Sequence, residues 1–155
     1  MDLGDLISYD HIIMPLEAGT KKQCLQELAK KAEELSNISQ RAIFETLLQR
    51  ERLGSTGLGK GIAVPHVKFK DFDHITCIFA RLNKPVDFEA LDNVPVDLIF
   101  LLLAPGHASG DHLKALARIS RLLREPDICR CLRSSTNIQD IVEVLTQPSA
   151  AFRAA

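Results

Sequence analysis

The stretch Gly54–His66, GSTGLGKGIAVPH, gathers the residue types that can handle a phosphoryl group. It opens as G-x-x-x-x-G-K, the form of a nucleotide P-loop. Gly61, however, stands where that motif needs the Ser or Thr that binds magnesium. A P-loop also leaves a strand and enters a helix, whose N-terminus helps hold the phosphates. Here the helical pattern precedes Gly54 and the strand pattern follows Gly61. The nucleotide reading fails on letters and on context, and no acidic cluster implies a metal. The glycines still need a reason. Gly54, Gly57, Gly59 and Gly61 are four of the eight in the chain. Glycine lets backbone amides approach a ligand closely and take positive φ. A tight helix-to-strand connection would use the same property.

The end of the stretch adds chemistry. Pro65 fixes its own φ and pushes Val64 into an extended shape, so His66 is expected to leave the sheet from a rigid point. An imidazole near neutral pH is largely uncharged and nucleophilic. A polar residue closing a strand is the plainer reading of His66 alone. His112 falls in the first turn of a later helix, where free N–H groups favour an anion. Two strands of one sheet would bring His66 and His112 to the same edge. Arg50, near the end of the preceding helix, would add a fixed positive charge for phosphate oxygens. Arg50 and Arg52 also read as solvated helix-end charges pairing with Glu51 or helix carbonyls. His11, His74 and His107 have no comparable setting and read as surface residues.

These residues need elements to hold them. Ile12–Leu16 reads as a strand. Thr20-x-x-Gln23 has the form of a capping box, followed by a helical face of Cys24, Leu25, Leu28, Ala29, Ala32 and Leu35. A second helix starts near Ser39, turns Ile43, Leu47 and Leu48 inward and stops before Gly54. Gly61–Pro65 and Ile75–Leu82 read as strands, and Pro85–Phe88 as an edge piece. Val96–Ala104, almost wholly apolar, fits a central strand covered on both faces. Asp111 or Ser109 would cap a helix whose shared face is Leu113, Leu116, Ala117, Ser120 and Leu123. A short helix runs from Pro126 to Leu132. Another, capped by Asn137, turns Ile138, Ile141, Val142 and Leu145 inward. The tail from about 148 reads as frayed. The class is α/β: a sheet sandwiched between helices, a single domain over 1–155.

Size and composition agree with one soluble domain. The chain has 155 residues, 46% hydrophobic and 25% charged, with a formal net charge of −1. Its 19 basic residues are scattered, which argues against a nucleic-acid surface. No apolar run is long enough for membrane insertion, and the acidic N-terminus does not read as a signal peptide. A cytoplasmic location is expected. The four cysteines, Cys24, Cys77, Cys129 and Cys131, form no C-x-x-C and read as buried or neutral thiols.

Taken together, RERLGSTGLGKGIAVPH, DNVPVDLIFLLLAP and HLKALARISRLL resemble the enzyme IIA proteins of the bacterial phosphotransferase system, mannitol/fructose class. The match is nearest to the nitrogen-related subgroup. The resemblance implies a phosphocarrier with a phosphohistidine intermediate, charged by a histidine-containing phosphocarrier protein in a phosphoenolpyruvate-dependent relay. By position it makes His66 the phosphorylated residue, as tele-phosphohistidine, with His112 and Arg50 supporting it. It makes Ser55, Thr56, Gly57, Gly59 and Gly61 the loop that shapes the site, with no cofactor and no metal. Val67 departs from the small residue usual after the histidine. Leu58 and Val67 are expected at the rim as an apolar docking patch. The subgroup implies a regulatory protein acting on targets of the potassium-transport or sensor-kinase type. The alternatives are a sugar-specific enzyme IIA passing phosphate to an enzyme IIB, and a small-molecule-binding α/β domain in which His66 is structural.

Overall fold

The computed structural model of the chain describes residues 3–107 and 110–147. Two short 3₁₀ turns, Leu3–Asp5 and Tyr9–His11, lead into β1 (Ile12–Leu16), α1 (Lys21–Ser36) and α2 (Gln40–Arg52). There follow β2 (Gly57–Gly59), β3 (Ile62–Ala63), β4 (His66–Phe69), β5 (Thr76–Val86) and β6 (Val96–Pro105). The chain then runs through α3 (Asp111–Leu123), α4 (Pro126–Ser134) and α5 (Ile138–Thr146). The expected Ser109 cap and the tail from 148 lie outside the described residues.

The strands form one mixed sheet in the order β1-β5-β6-β3-β2, with β4 also paired to β6. β6 is the axis of the molecule. β5 pairs with it antiparallel, and β3 and β4 lie in succession along its other edge, both parallel. Side chains alternate along a strand, so β6 feeds two cores. Ile99, Leu101 and Leu103 pack under α1 and α2 with Leu25, Leu28, Ile43 and Leu47. Leu98, Phe100 and Leu102 pack under α3 to α5 with Ile119, Leu132 and Ile141. Phe79 faces Phe100 across β5 and β6, with ring centroids 6.1 Å apart in an edge-to-face pair. The helix-clad sheet is the architecture the apolar patterning predicts, and a mixed β-sheet sandwiched between helices on both faces is the α/β fold that the enzyme IIA resemblance implies.

Local signals act where the patterning places them. The Thr20 side chain accepts from Gln23 N at 3.1 Å, while the Gln23 amide oxygen reaches back to Gly19 N at 2.7 Å. Asn137 caps α5 by accepting from Asp140 N at 2.9 Å.

Other elements differ from the pattern. Pro85 is no separate edge piece: β5 continues to Val86, which pairs with Val96 after an irregularity. The cap of α3 is Gly110, without a side-chain bond. The buried face of that helix is Ala115, Ile119 and Leu123, an i, i+4 stripe, and Leu113 is 58% exposed. Of the expected face Leu113, Leu116, Ala117, Ser120 and Leu123, only Leu123 is buried, so the buried stripe lies about one position from the expected one. His11 is not a surface residue. Its Nδ1 lies 3.1 Å from Leu6 O and 2.9 Å from Cys77 O, tying the N-terminal turns to β5.

Cys24, Cys77 and Cys129 are buried, and Cys131 is half-buried. Loss of water pushes the Cys24 thiol up to about 11 and Cys77 up to about 12. Burial also raises Cys129. The thiolate is the reactive form, so these three stay inert near neutral pH. A thiol-specific chromogenic reagent should therefore modify Cys131 rapidly in the folded protein and the other three only in denaturant. Fast reaction of two or more thiols in the native protein would contradict this burial.

Candidate functional site

The course of the chain between β3 and β4 sets up His66. Both short strands follow β6, but the ladder is interrupted at Val64–Pro65. Pro65 has no N–H to give, although its carbonyl still accepts from Leu102 N at 2.9 Å. Val64 turns its N–H away from β6 to Thr56 O, 3.0 Å distant. Its carbonyl meets the His66 ring instead, with Nδ1 2.9 Å from Val64 O. A carbonyl oxygen only accepts, so Nδ1 carries the proton and Nε2 keeps the free electron pair. His66 does not leave the sheet, as its sequence position suggested. It opens β4 and pairs with Leu102.

His66 lines an open cavity of about 520 Å³ at the β4 edge of the sheet. Arg50 and His112 line the same cavity. α2 supplies one wall through Thr46, Gln49 and Arg50, with Leu53 just beyond its end, and β4 and β6 form the floor. His112, in the first turn of α3, closes the opposite side. Arg50 Nη1 donates to Gly54 O at 2.9 Å, so the guanidinium is braced on the turn ending α2 and does not pair with Glu51.

Glu51 has a different task. It is 5% exposed, and its carboxylate accepts from Thr56 N at 3.2 Å and from the Thr56 hydroxyl. Lys21 of α1 pairs with it at 2.9 Å. Ser55 Oγ donates to Phe88 O at 2.7 Å. Ser55 and Thr56 thus act behind the cavity, fixing the loop whose Thr56 carbonyl holds Val64.

The glycines face elsewhere. None of Ser55, Thr56, Gly57, Gly59 and Gly61 lines the cavity of His66. β2 folds back antiparallel on β3 and carries the loop toward residues 90–97. A Cβ on Gly57 would sit 2.8 Å from Ala90 Cβ, and one on Gly61 2.8 Å from Arg133 Nη2. Gly59 and Gly61 also take φ of +94° and +83°. These glycines serve close packing and turning. The expected wall of amides around His66 is not built from them.

The rim also differs. Leu58 is exposed but does not line the cavity, whereas Val67 does line it, although it is 9% exposed and packs into the core under α1 and α2. The exposed apolar residue on the wall is Leu53, at 86%, and Leu113 neighbours His112.

A family model described as "Phosphoenolpyruvate-dependent sugar phosphotransferase system, EIIA 2" matches residues 5–147. The chain belongs to this family. It is 53% identical over 150 residues to a nitrogen regulatory protein of Bradyrhizobium diazoefficiens, covering 97% of this chain and 98% of that one. The crystal structure of the nitrogen regulatory protein IIA-Ntr from Neisseria meningitidis has a TM-score of 0.89 at 36% identity, covering 93% of this chain and 99% of that chain. A complex of the mannitol enzyme IIA with phosphorylated enzyme IIB from Escherichia coli has a TM-score of 0.76 at 19% identity, covering 90% and 96%, which is a likeness of fold. The role of this EIIA chain therefore lies in that phosphotransferase system.

Two features of this EIIA site escaped the reading of its residues. Lys68 lines the cavity as a further cation. The signal was present, since residue i+2 of a strand shares the face of His66. Glu51 looked like one more helix-end charge, and only its packing beneath the loop makes it an anchor. No helix among the described residues is long and apolar enough to cross a membrane. Among them, no group of three or more His, Cys, Asp or Glu side chains is placed to hold a metal.

Proposed function

We infer that this chain is a regulatory phosphocarrier that accepts a phosphoryl group on Nε2 of His66. The donor is the phosphohistidine of a small carrier protein charged from phosphoenolpyruvate. The observation that carries this reading is the 2.9 Å contact of Nδ1 with Val64 O, which leaves Nε2 as the nucleophile in a cavity shared with Arg50 and His112. In the transfer, the Nε2 electron pair forms the new P–N bond. The donor's P–N bond breaks, and its electron pair returns to the donor nitrogen. The acceptor ring gains positive character, which the Val64 carbonyl offsets at Nδ1–H. Arg50, Lys68 and His112 supply positive charge or N–H donors to the phosphoryl oxygens, the positioning and electrostatic work such a transfer requires.

The open cavity suits a protein donor, whose imidazole must reach Nε2. Leu53 and Leu113 offer it apolar contact. The regulatory part rests on the 53% identity with a nitrogen regulatory protein over nearly the whole chain. A phosphoryl group adds about −1.5 to −2 charges. The formal net charge of the chain is only −1, so the field around His66 changes greatly. Partners that dock on this face, among them targets of the potassium-transport or sensor-kinase type, would read that change.

The test is incubation with labelled phosphoenolpyruvate, enzyme I and the carrier protein. One phosphate per chain is expected on His66, lost in acid and stable in base, as a P–N bond requires. An acid-stable adduct, or no label, would refute the reading.

Arg50→Lys replaces a planar two-pronged donor by a point charge. Retention of the phosphoryl group is expected to fall about tenfold, with little change in melting temperature, because Arg50 is half-exposed. An unchanged phosphohistidine half-life would remove Arg50 from the site.

A further inference from the structure

The glycine loop leaves the His66 cavity but reaches another. A second cavity, of about 530 Å³, is lined by Lys60, Arg124, Arg130 and Arg133, over a floor that includes Ile62, Leu123 and Cys129. We propose that this cavity is a second ligand site, taking a nucleoside phosphate whose phosphate meets Lys60 and Arg124 and whose base lies on the apolar floor. The site is separate from His66, and the proposal does not depend on the phosphocarrier reading.

Three observations carry it. The first is that Lys60 is held in place. It sits at the tip of the β2–β3 turn with φ +57°, a left-handed conformation that few non-glycine residues adopt. Asp92 accepts from its N–H at 2.8 Å and Arg133 Nη2 donates to its carbonyl at 2.9 Å. The absence of a Cβ on Gly61 makes room for that arginine. Strained backbone fixed from two sides is characteristic of functional positions.

The second is the charge balance. Arg133 is spent on Asp97, which it grips through Nε at 2.9 Å and Nη2 at 2.9 Å. Arg130 shares Asp127 on the exposed face of α4. Lys60 and Arg124 have no carboxylate partner among the described residues. Asp92 is engaged by the backbone N–H groups of Lys60 and Val94, which hold its carboxyl below the usual range. The cations lining this cavity therefore exceed their carboxylate partners by about the charge of one phosphate, in a chain of net charge −1.

The third is shape. A concave, largely apolar space with a few fixed polar groups is the form of small-molecule sites, which span about 300–1,000 Å³. Inorganic phosphate would leave the floor of Ile62 and Leu123 unused, and a neutral aromatic molecule would leave the cations unmatched.

The experiment is a titration of the full chain with AMP, ADP, inorganic phosphate and adenosine, followed by amide chemical shifts and calorimetry. A nucleotide is expected to bind with Kd below about 1 mM, with shifts confined to Lys60–Ile62 and Leu123–Ser134. Lys60→Gln and Arg124→Gln should each weaken it about tenfold through loss of a charge-assisted contact. Both variants should keep the wild-type melting temperature and phosphoryl labelling at His66. Absence of binding by either nucleotide overturns the proposal. So does phosphate or adenosine binding as tightly as AMP, a shift pattern centred on His66 and His112, or full affinity in both variants.

Discussion

Replacing His66 by alanine is expected to abolish phosphoryl labelling while the protein keeps its fold. The nucleophile is the only part of the site with no substitute. His112, Arg50 and Lys68 share the cavity, but the in-line position belongs to the imidazole that opens β4. Removal of a nucleophile costs orders of magnitude, so the label should fall at least about 1,000-fold. The cost in stability is small. His66 is half-buried, and its loss leaves the Val64 carbonyl beside the open cavity, where water can replace Nδ1–H for about 1 kcal/mol. Labelling with phosphoenolpyruvate, enzyme I and carrier, beside thermal melts, separates the two effects. Label retained at more than a few per cent would place the phosphoryl group elsewhere. Lost label with a collapsed melt would mean that the residue supports the fold instead.

Glu51→Ala is the substitution expected to damage stability most among the residues around the site. It strips a buried carboxylate from Lys21, from Thr56 N and from the Thr56 hydroxyl. Removing one partner of a buried, hydrogen-bonded ion pair costs about 3 kcal/mol or more, because the other groups stay desolvated. For a chain of this size the melting temperature should fall by about 10 °C. The same change should reach the site. Thr56 holds Val64 at 3.0 Å, and Val64 holds the His66 ring at 2.9 Å. In the milder Glu51→Gln variant, which keeps the shape, ¹⁵N spectra of His66 should show its Nδ1–H form losing dominance as labelling slows. A melt within about 1 °C of wild type for Glu51→Ala would show that Lys21 and Thr56 find water instead. An unchanged tautomer in a folded Glu51→Gln would cut the link between the anchor and His66.

The helices, the long strands, the α/β class and the meeting of Arg50, His66 and His112 at one cavity were legible in the sequence, because each signal is local, whereas the short strands β2 and β4 were not. Thr20, Ser39 and Asn137 cap helices within three residues of themselves. The almost wholly apolar run at Val96–Ala104 fits a strand covered on both faces, and β6 is that strand. Arg50, His66 and His112 each sit near the end or start of an element, and the parallel course of β4 along β6 carries those ends to one edge. The family signature spans the same segment, and the family match confirms it. What the sequence left undecided depended on contacts between residues far apart in the chain. The glycine loop looks like a phosphate cradle until β2 folds back on β3 and packs its glycines against residues 90–97 and Arg133. Glu51 looks solvated until Lys21, thirty positions earlier, meets it under the loop. The face of α3 is settled by its packing on β6, which buries Ala115, Ile119 and Leu123, and the place of His11 by a carbonyl on β5. Periodicity and capping are encoded within a turn or two of chain, whereas the direction a loop faces is fixed by long-range pairing, and only the folded chain contains that information.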